Sequence, residues 1–189
     1  MTELEKIQEA FHDNCHAHVT ELIETFEDGS SMKRRICNDG YHSFIVRLET
    51  QKKKAWYPFF RKGHDLSSIC VFIVFVELAD EVYALLVEMK LGGDNPKPQL
   101  DFSENFVKFV LRRMMLTDKL GLEKPIYIRK IGLTDSKPPK NLTKMKFETS
   151  PFYDDNNFMK RYKEDNFRIR PFVTWPTRAK NQGLVSLDD

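Results

Sequence analysis

The sequence predicts a single α/β domain built on an α-β-β-β-α-β order around a central mixed sheet. Three observations carry this. Two apolar, β-branched segments, residues 69–77 (ICVFIVFVE) and 82–90 (VYALLVEMK), are separated by only four residues. That spacing predicts an antiparallel hairpin of strands buried on both faces. A helical period over residues 98–115 and a further strand at 125–133 (PIYIRKIGL) follow the hairpin. Finally, 189 residues at 41% hydrophobic and 12% aromatic support one core of ordinary size and exclude a disordered or fibrous chain.

Taken in order, Thr2 and Glu5 have the spacing of a capping box. The apolar positions Leu4, Ile7, Phe11, Cys15, Val19, Leu22, Ile23 and Phe26 step by threes and fours, which predicts one amphipathic helix ending at Asp28-Gly29-Ser30. Residues 1–28 carry eight acids and the single base Lys6, a net of −7, so the rest of the chain carries +9 within the total of +2. On this reading the acids form the solvent face of that helix and the sheet-bearing body is basic. Residues 42–49 (HSFIVRLE) alternate as a strand, with 56–60 (WYPFF) a candidate partner. After the hairpin, Gly92-Gly93-Asp94-Asn95-Pro96 makes a turn, and Phe102, Phe106, Val107, Val110, Leu111 and Met114 mark the buried stripe of the second helix. Beyond Ser136 the texture changes to Pro, Lys, Asn and isolated aromatics. The chain is therefore read as one domain, 1–189, with a core at about 2–133 and an irregular extension at 134–189 holding short elements near 158–162 and 167–172.

Composition also narrows the setting. The longest near-apolar run, 69–79, contains Glu77 and falls short of the roughly 18 residues of a membrane span. The amino-terminal MTELEKIQEAF is charged and amphipathic, unlike a signal peptide. Three cysteines without a CxxC pair disfavour a disulfide framework or a cysteine zinc site and predict a reducing cytoplasm. No P-loop, GxGxxG, GxSxG, HExxH or zinc-finger spacing is present.

Glu88-Met89-Lys90 closes the second hairpin strand. Residues two apart share a face of a strand, so Glu88 and Lys90 project together, and charges leaving an apolar strand must face a cleft or each other. An E-x-K at the end of a hairpin strand, in this element order, resembles the PD-(D/E)xK nuclease superfamily. Gln99-Leu100, opening the following helix, is similar to a Gln-Leu that some bacterial members carry there. The resemblance covers the element order from Thr2 to about Leu133 and the motif stretch from Cys70 to Leu100. It implies a restriction-endonuclease-like fold and metal-dependent phosphodiester hydrolysis. Glu88 would be a metal ligand, with the Met89 carbonyl beside it, Lys90 the base or charge stabiliser, and Gln99 an accessory catalytic residue. The cofactor would be Mg²⁺ or Mn²⁺ in an active member and absent in an inactive one.

The sequence departs from that pattern at one point. A hairpin centred on Ala79-Asp80 places Val71 opposite Glu88, where the superfamily carries its first acid. A relocated acid would have to come from Asp65, the preferred second metal ligand, or from Glu21 or Glu24; Glu77 shares the face but lies about 20 Å along the strand.

Basic clusters at Lys33-Arg34-Arg35, Lys52-Lys53-Lys54, Lys137 to Lys146 and Lys160 to Lys163 are candidate phosphate contacts. Lys52, Lys53 and Lys54, beside the aromatics of 56–60, together with Lys140 and Lys144, are the preferred nucleic-acid-binding set. His12 and His16 would share a helix face as a two-point metal site, and His64-Asp65 is a candidate acid/base pair. Two functional classes follow. One is a nuclease-like protein acting on or binding nucleic acid, active through a relocated acid or catalytically degenerate. The other is a non-catalytic binding or assembly subunit that keeps the nuclease fold and engages nucleic acid, a protein partner or a second copy, with bacterial defence systems as a setting by analogy.

Overall fold

The computed structural model describes residues 1–11, 13–16, 20–26, 28–48, 70–92, 95–117, 121–135, 158–162, 166–174 and 184–185. The chain is mixed α/β, with two mixed sheets and few helices.

The amino-terminal helix is short. Helix α1 (Glu3–Glu9) starts with the expected capping box, the Glu5 N–H donating to Thr2 Oγ1 at 3.2 Å and the Thr2 N–H to the Glu5 carboxylate at 2.7 Å. One 3₁₀ turn follows at Asp13–Cys15, and then an antiparallel hairpin of β1 (Glu21–Thr25) and β2 (Ser31–Cys37). The single helix expected over residues 4–26 is thereby overturned, and with it the view of the −7 segment as one helical face. Asp13 and Asn14 favour a turn over helix interior, and Thr20, Ile23 and Thr25 are β-branched. A step of four belongs to both periods, so Leu22 and Phe26 fit a helix stripe and a strand face alike. What separates the two readings is burial: Leu22 and Glu24 point inward while Ile23, 40% exposed, and Thr25 point out, a period of two. Gly29 takes the left-handed turn position at φ +82°, which a side chain would disfavour.

The remaining order is close to expectation. Strands β3 (His42–Arg47), β4 (Phe72–Glu77) and β5 (Val82–Lys90) run antiparallel in turn. Helix α2 (Lys97–Leu116) crosses to β6 (Ile126–Thr134), which pairs parallel with β5. Two short late segments also form strands. The first, β7 (Phe158–Tyr162), joins β6 in parallel, giving the sheet order β3-β4-β5-β6-β7. The second, β8 (Asn166–Arg168), pairs parallel with β2, giving the small sheet β1-β2-β8, and leads into the one-turn α3 (Arg170–Val173). Residues 56–60 lie outside the described set.

The large sheet is buried on both faces. Helices α1 and α2 cover one, packing Leu4, Ile7, Leu100, Val107 and Leu111 on Ile73, Phe75, Ala84, Leu86 and Ile128. The small sheet and α3 cover the other, packing Leu22, Met32, Phe167 and Phe172 on Phe72, Val74, Leu85, Val87 and Ile131. This double cover is why residues 82–89 are all buried and why the strand reads as a continuous apolar run. Glu77, at the turn end of β4, fastens α1: its carboxylate takes the Lys124 ammonium at 2.9 Å and the Glu3 N–H at 3.3 Å. Among the described residues no helix is long and apolar enough to cross a membrane.

Candidate functional site

The hairpin register is the one expected. Phe72 stands opposite Val87 and Ile73 opposite Leu86; the ladder ends there, and Val71 just before β4 meets Glu88 through its backbone N–H while its side chain packs on the other face with Phe72 and Val87. Glu88 and Lys90 point to the α2 side of the sheet, the face of Ala84 and Leu86. Glu88 is only 4% exposed. The Lys90 ammonium sits 2.9 Å from its Oε1 and the Val71 N–H donates to its Oε2 at 3.2 Å. On the β6 side Glu88 lies opposite Gly132, which presents no side chain. The strand end is held in place beyond the pair: the Thr134 hydroxyl donates to the Gly92 carbonyl and the Gly92 N–H to Asp135.

Gln99 belongs to the same end of the sheet. The Cys70 N–H donates to Ser103 Oγ at 2.6 Å, and that hydroxyl donates to the Gln99 carbonyl, also at 2.6 Å. The first turns of α2 are thus tied to the residue beside Val71. The Gln99 Oε1 is buried and has no hydrogen-bond donor among the described residues. Ser103 is the residue that sequence reasoning missed, and its signal was a hydroxyl in the stripe Leu100, Ser103, Val107, Leu111, Met114, all buried. A polar residue at a core position must bring its own partner.

Cys70 completes the cluster. Burial pushes its thiol up to about 12; the Ser103 hydrogen bond works against this and the nearby Glu88 carboxylate adds to it. Burial also raises the Cys15 thiol. Both stay protonated at neutral pH and supply no thiolate nucleophile. Iodoacetamide is therefore expected to label the half-buried Cys37 in the native protein, and Cys15 and Cys70 only after denaturation. Mass spectrometry of intact and denatured samples checks this; labelling of Cys70 at the rate of Cys37 would mean that this end of the sheet is open.

Among the described residues, Glu21, Glu24 and Glu77 do not converge on Glu88. Glu21 pairs with Lys33 at 2.6 Å, and Glu24 lies 3.9 Å from Arg47. Arg47 lies over the Phe72 ring, on the opposite face of the large sheet. Glu77 is committed to α1. Asp65 and His64 lie outside the described residues, as do Lys52, Lys53, Lys54, Lys140 and Lys144. His16 is not on a helix; its Nε2 is 3.1 Å from the Gln8 carbonyl, and His12 is outside the described set, so the shared helix face is lost.

A divalent cation at Glu88 would need a second carboxylate and would have to displace the Lys90 ammonium. Among the described residues no group of three or more His, Cys, Asp or Glu side chains is placed to hold a metal ion. The described residues therefore do not fit a two-acid metal centre. What the arrangement does chemically, among the described residues, is bring an ammonium and a peptide N–H to a buried carboxylate. Compared with protein-family profiles, curated proteins and solved structures, the chain matches none.

Proposed function

We propose that the chain is a nuclease-like α/β protein of the PD-(D/E)xK type that binds nucleic acid without metal-dependent cleavage at Glu88 and Lys90. With the β1–β2 hairpin of the small sheet set aside as an insertion after α1, the order α1, β3, β4, β5, α2 and β6, with β5 and β6 parallel, supports the restriction-endonuclease-like reading. So does the placement of Glu88, Lys90 and the Gln99 backbone at one end of the sheet. One observation carries the loss of cleavage. Where the superfamily's first acid would stand, the Val71 N–H and the Lys90 ammonium already engage the Glu88 carboxylate. Binding on this reading needs neither Mg²⁺ nor Mn²⁺, and free thiols at Cys15, Cys37 and Cys70 suit a reducing compartment.

The test is fluorescence anisotropy of end-labelled DNA and RNA strands in EDTA, repeated after adding Mn²⁺. Binding in EDTA that weakens with salt, with the strand remaining full length in Mn²⁺, is the expected result. Absence of binding, or metal-dependent cleavage lost in Lys90→Ala, would overturn the proposal.

A further inference from the structure

We infer that the solvent face of the small sheet is a phosphate-binding surface for a nucleic-acid backbone, separate from the Glu88 end of the large sheet. This rests on the nucleic-acid reading above and adds the surface that makes the contact.

The triplet Lys33-Arg34-Arg35 looks in sequence like one basic patch. The strand divides it. Period-two alternation turns Met32 and Arg34 inward and leaves Ser31, Lys33 and Arg35 exposed. Buried Arg34 is structural: its Nη1 donates to the Lys33 carbonyl at 2.8 Å and its Nη2 to the Thr134 carbonyl at 3.5 Å, linking the small sheet to β6. In β8 the same alternation buries Phe167 and exposes Asn166 and Arg168. Parallel pairing sets Arg35 beside Asn166 and Cys37 beside Arg168. Lys33, Arg35 and the sequence-distant Arg168 therefore stand on one outward face, with Lys33 and Arg35 about 7 Å apart along β2 and Arg168 diagonal to Arg35 on β8, about 8 Å away.

The other groups on that face are Glu21, Ile23 and Thr25 of β1. Glu21 is opposite Arg35, with its carboxylate on Lys33 at 2.6 Å, and Ile23 is opposite Lys33. Among the described residues of these three strands' outward face, one acid thus stands against three bases. Two of the bases are arginines, whose planar forks suit phosphate oxygens. The Lys33 side chain is 59% exposed, so its charge is open to a ligand once Glu21 lets go. No aromatic side chain stands on this face among the described residues, so the contact is made through charge to the backbone, without base stacking and without sequence preference.

The experiment uses the full chain and end-labelled single-stranded and duplex DNA over a salt series. The triple variant K33A/R35A/R168A is expected to weaken binding roughly 100-fold near 0.1 M salt and to flatten the log–log salt slope by about 2 to 3 units. Glu21→Gln is expected to do the opposite, tightening binding about threefold to tenfold by releasing Lys33. A variant that merely misfolded could not produce that gain. Wild-type affinity in the triple variant, or no gain in Glu21→Gln, overturns this surface and leaves the nucleic-acid reading intact. Failure of the wild-type protein to bind any strand overturns both. Tighter binding of poly-glutamate than of DNA at equal charge would assign the face to an acidic protein instead and also overturn the inference.

Discussion

Lys130→Met is expected to lower the unfolding free energy by about 3 kcal/mol, read as a shift of the urea midpoint at unchanged slope. Lys130 lies in the middle of β6 with its side chain 5% exposed, facing α2. Its ammonium holds Asp101 and Glu104, each at 2.7 Å, and Glu104 also takes Lys108 at 2.9 Å. Removing this buried cation leaves, among the described residues, Lys108 as the cation paired with the Glu104 carboxylate. Breaking such a pair from one side costs far more than the pair itself contributes. The pH dependence follows from the same geometry. Burial pulls the Lys130 amine down, but the two carboxylates outweigh this and hold it above its ordinary value; burial likewise opposes, and Lys130 and Lys108 outweigh it to hold the Glu104 carboxyl below its ordinary value. A carboxyl lowered in the folded state stabilises above its unfolded pKa and loses that contribution as pH falls through the folded value. The wild-type protein is therefore expected to lose stability on acidification through the carboxylate range, and Lys130→Met to lose this part of the acid dependence. Equal stability of the two proteins at pH 7 would contradict the assignment.

Lys90→Met is expected to cost about 2 to 3 kcal/mol, and Glu88→Gln about 1 kcal/mol or less. The asymmetry comes from exposure. The Lys90 side chain is 24% exposed and Glu88 is 5%, so Lys90 alone can extend to water, whereas the Glu88 carboxylate stays buried when its ammonium is removed. Glutamine retains an acceptor for the Val71 N–H. The double variant should be more stable than the sum of the two losses predicts, because it removes the buried carboxylate together with its ammonium. Urea denaturation of the three variants measures the cycle. A lysine held for catalysis would behave the other way: its replacement would leave stability nearly unchanged. Additive losses, or a more damaging Glu88→Gln, would contradict a closed pair.

How much of this was legible beforehand varies by residue. The β4–β5 register was readable because a short turn between two β-branched runs leaves few alternatives; the turn of the Val71 side chain to the other face, where the ladder ends before β4, was not. Helix α2 was readable to within a residue at each end, since Pro98 sits at its first turn and the stripe from Leu100 to Met114 is regular. The β1–β2 hairpin was hidden by apolar steps common to both periods. The β2–β8 pairing was hidden for a different reason: it joins Arg35 to Asn166 across most of the chain, and no local pattern encodes a parallel partner that far away. In the sequence Lys130 is a charge within the strand PIYIRKIGL. Its clue was Asp101 and Glu104, three apart on the helix that packs over it. The same rule that found Glu88 and Lys90, that charges on a buried strand need partners, applies to it.

The most direct measurement is the length of an end-labelled strand incubated with the wild-type protein in Mn²⁺, alongside binding of the same strand in EDTA. Binding in EDTA with the strand intact in Mn²⁺ is the result expected of a nuclease-like protein whose glutamate is closed by Lys90 and Val71. Shortening of the strand that requires Mn²⁺ and disappears in Lys90→Ala would contradict it.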